Sequence, residues 1–117
     1  MPDTTPNLEL PFIMPAQAQK HVTHNEAIEL LDMIVQLTVE STGATTPPAS
    51  ANEGQAWVLG ASPSGGWAGQ AGRIAAWRGG GWLFVTPREG WMAWVKSDSE
   101  LQVFTGSIWA TLAGTAA

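Results

Sequence analysis

Residues 74–82 read IAAWRGGGW, and residues 101–109 repeat the same pattern as LQVFTGSIW. Each copy runs through an aliphatic residue, two residues, an aromatic residue, one residue, a glycine, two residues and a tryptophan. A glycine between two aromatic positions is typical of a β-hairpin, because glycine accepts the positive φ of a tight turn and the aromatic side chains flank it on the paired strands. The repeat therefore predicts two hairpins stabilised by aromatic cross-strand pairs.

Short apolar runs continue on both sides of this repeat and are separated by Gly, Ser and Pro clusters. Such runs indicate strands, and short connections between them indicate antiparallel neighbours in a meander. The predicted strands cover residues 55–59, 73–77, 82–86, 91–95, 101–104 and 108–111.

One helix is predicted ahead of these strands. Thr23-His24-Asn25-Glu26 fits a capping box, in which the Thr and Glu side chains each bind the other residue's backbone amide. Apolar residues then follow at helical spacing, namely Ala27, Ile28, Leu30, Leu31 and Ile34. Residues 16–21 either form an earlier turn or extend this helix backward. From Val35 to Glu40 apolar and polar residues alternate, which predicts a strand with one buried face.

The N-terminal segment has prolines at positions 2, 6, 11 and 15. Repeated proline excludes a helix and favours an extended path. Its apolar residues need a surface to pack on, which is either the chain's own domain or a neighbouring subunit or particle. The predicted fold is therefore α+β: an extended Pro-rich arm over residues 1–22, then a single domain over residues 23–117 with one helix and a mainly antiparallel, meander or sandwich-like sheet.

The amino-acid composition limits the classes of partner that the chain is expected to bind. Charged residues make up only 13% of the 117 residues, while seven are tryptophan, so part of the surface is expected to be covered by another molecule. The net charge of −5, with five Lys and Arg in total, argues against nucleic acid and against anionic membranes. The chain has no cysteine, and its first residues have neither the basic start nor the apolar run of a signal peptide.

No pattern marks catalysis or a cofactor. The ten carboxylates are scattered and no GxSxG motif occurs, so neither a glycosidase pair nor a nucleophile elbow is indicated, although a hydrolase with an unmarked carboxylate pair stays open. His21 and His24 lie three residues apart without an HExxH motif. They are interpreted as polar groups near a helix start, or as a ring of histidines around a symmetry axis, and no metal or cofactor is predicted.

The tryptophans are interpreted as core and subunit interface, with sugar stacking as the alternative. The candidate glycan-stacking residues are Trp67, Trp91 and Trp94. Trp91 and Trp94 differ in parity, so in a regular strand they face opposite sides.

Residues 16–27, AQAQKHVTHNEA, followed by Leu30-Leu31-Asp32, resemble the signature of an uncharacterised family of phage structural proteins. That family occurs in tailed phages, prophages and gene transfer agents of alphaproteobacteria. The later blocks, including Ile74–Trp77, Thr86–Trp91 and Gly106–Trp109, are similar to the same pattern. The resemblance implies a virion structural role in head spikes or tail fibres that contact the host surface, and it carries no catalytic residues.

Together these observations predict a non-enzymatic virion component, a fibre, spike or adaptor made in the bacterial cytoplasm and assembled as a homo-oligomer, with a trimer favoured. Other virion proteins and host-surface polysaccharide are the further partners expected. A carbohydrate-binding module is the alternative function. The expected oligomer interface consists of Leu10, Phe12, Ile13, His21, His24, Ile28 and Leu31.

Overall fold

The computed structural model describes residues 3–12 and 20–112. They belong to two compact units, Met1–Gln36 and Leu37–Ala117. The helix is grouped with the N-terminal segment rather than with the strands, whereas the sequence places the only boundary after residue 22.

The helix of the first unit, α1, spans Lys20–Ile34. It begins three residues before Thr23, so Thr23 lies inside the helix and the predicted capping box is wrong. The backward extension is confirmed for Lys20 and His21, because no proline or glycine interrupts residues 20–23. At the other end, the Val35 amide donates to the Leu31 carbonyl at 2.9 Å. Val35 therefore belongs to the last helical turn and not to the predicted strand.

Residues 3–12 double back on themselves. Thr4 and Pro11 form an antiparallel bridge, and a turn covers residues 6–8. Two backbone hydrogen bonds close the loop, from Thr5 N to Leu10 O at 2.9 Å and from Phe12 N to Asp3 O at 3.0 Å. The predicted extended path is therefore wrong for these residues, because a proline fixes φ in a turn as readily as in an extended chain.

The described part of the second unit, residues 37–112, contains seven strands: β1 Thr38–Val39, β2 Ala56–Val58, β3 Ile74–Arg78, β4 Gly81–Val85, β5 Met92–Val95, β6 Glu100–Phe104 and β7 Trp109–Thr111. A four-stranded sheet has the order β1-β5-β6-β7, and a three-stranded sheet has the order β2-β3-β4. Every pairing is antiparallel except the parallel pair β1–β5. One α-helix with two mainly antiparallel sheets, over residues 3–12 and 20–112, confirms the predicted α+β class.

The chain that leaves β1 connects the two sheets. Glu40 N donates to Ala56 O at 2.7 Å, and Val58 N donates to Ser41 O at 3.0 Å. A parallel bridge between Ala44 and Leu59 continues this contact. The segment 38–44 therefore pairs first with β5 and then runs beside β2.

Both predicted hairpins are confirmed. In β3–β4, Trp77 pairs with Trp82 across a two-residue turn whose glycines, Gly79 and Gly80, have φ of 62° and 78°. In β6–β7, Phe104 pairs with Trp109, and Gly106 has a φ of 107°. The ring centroids are 4.9 Å apart in the first pair and 5.3 Å apart in the second, which is the contact distance of aromatic pairs.

Candidate interaction surfaces

The N-terminal loop is held by one carboxylate. Asp32 lies in α1 and is fully buried. Its Oδ1 accepts hydrogen bonds from the Thr5 hydroxyl and from Leu8 N, both at 2.5 Å, and its Oδ2 accepts one from Asn7 N at 3.0 Å. The Thr5 hydroxyl also accepts from Leu10 N at 2.9 Å. The turn at residues 6–8 thus points its amides at the carboxylate, and a buried acceptor is satisfied by donors more than twenty residues away.

The polarity of α1 is partly inverted relative to an ordinary surface helix. Its buried positions include Asp32 as well as Met33, and Asn25 and Glu29 on the same side are half-buried. Large apolar residues lie instead at exposed positions, with Leu31 45% exposed and Val35 54% exposed. A surface helix normally buries its apolar positions and exposes its polar ones.

Four residues form a continuous line along the exposed side of α1. His24, Ile28, Leu31 and Val35 follow one another at spacings of four, three and four. This is the spacing by which one helix contacts another along a seam. We call these four residues the apolar stripe; Ile28 is half-buried and the other three are exposed.

Three of the predicted interface residues, His24, Ile28 and Leu31, therefore lie on one line. Leu10 and Phe12 are half-buried in the N-terminal loop. Ile13 lies outside the described residues, and so does the side chain of His21.

An aromatic cluster occupies one face of the three-stranded sheet. Trp67, from the short 3-10 helix Gly65–Trp67, has ring centroids 5.9 Å from Trp57 and 5.2 Å from Trp82. Leu59 and Ala75 are buried in the same cluster. Trp67 is 0% exposed, and among the described residues its Nε1 has no hydrogen-bond partner. A sugar can stack on an indole ring only if at least one face of the ring is exposed. The burial of Trp67 therefore removes it from the glycan-stacking candidates.

The four-stranded sheet presents an apolar face. In β5, Ala93 and Val95 are buried, while Met92 is 52% and Trp94 is 43% exposed. On the adjacent strand, β6, Val103 pairs with Met92 and Leu101 pairs with Trp94. Met92, Trp94, Leu101 and Val103 therefore share one face of the sheet. Trp91 precedes β5 and is half-buried.

The described residues contain no group of three His, Cys, Asp or Glu that could hold a metal ion. In the same part of the chain, no helix has both the length and the apolarity needed to traverse a bilayer.

Two of these features are not among the residues that the sequence selects. Asp32 is one of ten scattered carboxylates in the sequence, although Asn25, Glu29 and Asp32 follow one another at spacings of four and three, which is the spacing of a polar helix face. No sequence feature predicts that Met92 is exposed, because its exposure depends on which face of β5 is covered.

Comparison with known proteins gives one family. A family model described as "Protein of unknown function (DUF2793)" matches residues 24–110, and its description names no activity and no particle. No curated protein matches the chain.

Proposed function

We propose that this chain, which belongs to the DUF2793 family of proteins of unknown function, is a non-enzymatic structural component of a phage or phage-like particle and assembles with copies of itself. A fibre, spike or adaptor in the virion fits this role, with other virion proteins as neighbours. The observation that carries the proposal is the exposed apolar stripe of α1.

Exposed apolar residues on a helix are stabilised when a second helix covers them. Fully burying a Leu, Ile or Val side chain contributes about 1.5–3 kcal/mol. The apolar stripe offers Ile28, Leu31 and Val35 for such burial, in the spacing by which helices pack as a coiled coil. Leu31 is 45% and Val35 is 54% exposed, so covering the rest of each side chain contributes roughly half of that amount. The side of α1 that carries Asn25, Glu29 and Asp32 cannot serve, because Asp32 already binds the N-terminal loop.

The partner is most simply another copy of α1. The stripe carries no Asp, Glu, Lys or Arg, so copies of a chain with a net charge of −5 meet there without like-charge contact. Each copy brings one stripe, and parallel packing of the copies around an axis covers all of them. The resemblance to fibre and spike proteins favours three copies.

The particle assignment is supported by the resemblance of residues 16–27 to a phage and gene-transfer-agent signature. Low charge and high tryptophan content support a chain that works inside an assembly rather than alone. If a particle-producing strain carries the gene, mass spectrometry of purified particles is expected to detect the chain at a fixed copy number. Its absence from particles, with the chain present in the cell lysate, would refute the virion role.

Self-assembly is tested by light scattering on two matched variants. Leu31→Glu puts a charge into the stripe and is expected to abolish the trimer. Leu30→Glu, at a neighbouring position that is 39% exposed but lies off the stripe, makes the same change in charge and is expected to keep it. A wild-type monomer at micromolar concentration, or equal behaviour of the two variants, would contradict assembly through the stripe.

Glycan recognition is the second candidate function, and the exposure of Trp94 favours it. An indole ring open to solvent beside Met92 offers a platform on which a sugar ring can stack. Multivalent display in an oligomer would strengthen a weak contact of this kind.

Titration with host-surface polysaccharide is expected to quench tryptophan emission in the wild type and in Trp67→Phe, but not in Trp94→Ala. Quenching that survives in Trp94→Ala would remove Trp94 from this role.

A further inference from the structure

The two repeat hairpins lie at the ends of the two sheets, so β4 and β7 are edge strands. In the first hairpin, Trp77 uses its backbone to bind residues beside β2, with Trp77 N donating to Gln55 O at 2.9 Å and Gly54 N donating to Trp77 O at 2.9 Å. The pair Trp77–Trp82 is therefore a non-hydrogen-bonded pair, and the backbone N–H and C=O of Trp82 point away from β3.

The same alternation turns the backbone groups of Phe84 outward. Among the described residues, these groups of Trp82 and Phe84 have no hydrogen-bond partner. They form the row of donors and acceptors that an edge strand offers to another strand.

The two edges are protected to different degrees. On β7, the Thr111 hydroxyl donates to the carboxylate of Glu100, which keeps a charged group beside a strand of only three residues. β4 is five residues long, reads GWLFV, and contains neither a charge nor a proline. Proteins usually protect exposed edges with charged side chains, prolines or bulges, so the unprotected edge is the one built for pairing.

We propose that β4 pairs antiparallel with β4 of a second copy, with the two-fold axis at Leu83. In this register Trp82 of each copy forms a hydrogen-bonded pair with Phe84 of the other, which satisfies all four outward groups on each strand. This proposal depends on the proposed self-assembly only because its partner is a second copy of the chain. The surface that it uses is the outer edge of β4 and not the apolar stripe.

Side chains and charges support this register. Trp82 and Phe84 share one face of β4, so each meets an aromatic residue of the second copy directly across the interface. At the ends of the strands, Glu53 binds the turn amides of Gly79 and Gly80 at 2.9 and 3.0 Å. The register brings this turn beside residues 86–88 of the second copy, so Glu53 faces Arg88 there, twice by symmetry. β4 itself carries no charge, and Glu53 lies at one end of it and Arg88 at the other. Two antiparallel copies therefore bring these opposite charges together at both ends of the interface.

Amide hydrogen exchange on the assembled protein tests the pairing directly. We expect the amides of Trp82 and Phe84 to exchange at least 100-fold more slowly than those of Trp109 and Thr111, the corresponding outward amides of β7. Exchange of all four amides at similar rates would overturn the proposal.

A charge reversal tests the ends of the interface. Arg88→Glu replaces two attractions by two repulsions and is expected to weaken the β4 pairing about tenfold and to speed exchange of the Trp82 and Phe84 amides. Arg73→Glu makes the same change in net charge at another exposed arginine and is expected to leave both unchanged. Protection that is the same in both variants, at a concentration where the wild type is half dissociated, would count against the pairing.

The two proposed interfaces, the apolar stripe and the edge of β4, can be refuted independently of each other. If β4 pairs, Leu31→Glu is expected to leave dimers whose Trp82 and Phe84 amides stay protected. If only the stripe associates, the wild type forms trimers in which these amides exchange rapidly, and the β4 proposal is refuted while self-assembly stands.

Discussion

Substitution of Asp32 by Asn is expected to release the N-terminal loop from α1. From the N-terminal loop, Oδ1 accepts hydrogen bonds from Thr5 and Leu8 and Oδ2 accepts one from Asn7, so the isosteric amide best keeps its oxygen at the Oδ1 position. Its NH₂ group then faces Asn7 N, where donor meets donor. One hydrogen bond to a charged acceptor, worth about 1.5–3 kcal/mol, is lost and two others are weakened, for a total of about 3 kcal/mol.

Amide hydrogen exchange measures this loss of hydrogen bonding at the donor amides themselves. About 3 kcal/mol corresponds to roughly 100-fold faster exchange of the Asn7 and Leu8 amides. Asp3→Asn removes an exposed carboxylate from the same loop and is the matched control. All seven tryptophans lie in the second unit, so an unchanged emission spectrum would verify that this unit stays folded. Unchanged exchange of Asn7 and Leu8 in Asp32→Asn would refute the idea that the carboxylate holds the loop.

Three further outcomes are expected. Gly60→Ala would place a Cβ 2.9 Å from Gly43 O, and overpacking against backbone is expected to lower the free energy of unfolding by about 1–3 kcal/mol in denaturant titrations. A double-mutant cycle that replaces Phe104 and Trp109 by Leu is expected to give a coupling energy of about 0.5–1.5 kcal/mol, whereas additive effects would mean that the two rings do not interact. Glu53→Ala is expected to speed amide exchange at the two turn glycines of β3–β4, while exchange in the β6–β7 hairpin stays constant.

The strands were predictable because their signals are local. The glycines of the two hairpins and the aromatic residues beside them fix turn and register within nine residues of sequence. For the same reason, the predicted limits of the strands from β2 to β7 differ from the observed ones by at most one residue at each end.

The N-terminal loop was not predictable, because its partner is distant in sequence. Prolines at positions 6 and 11 are compatible with an extended arm and with a turn. What decides between them is Asp32, whose carboxylate accepts the amides of the turn. The end of α1 was missed for a related reason: Val35 fits a period of two as well as a helical turn, and only its hydrogen bond to Leu31 distinguishes them.

The candidate surfaces were predictable in part. Helical spacing alone selects Ile28 and Leu31, but it does not say which side of α1 is covered. The burial of Trp67 and the exposure of Trp94 depend on which sheet face each ring joins, and composition carries no information about that choice.

The position of β1 has a consequence for the order of folding. Thr38 pairs with Trp94 and Val39 with Val95, so this parallel contact joins residues more than fifty positions apart. The β3–β4 and β6–β7 hairpins close over a few residues and can form while the polypeptide is still being synthesised. The long-range ladder must wait until β5 has left the ribosome, and the entropy of closing that large loop makes it the slow step. Until then β1 lacks its parallel neighbour, and the nascent chain is most vulnerable to pairing with the wrong strand.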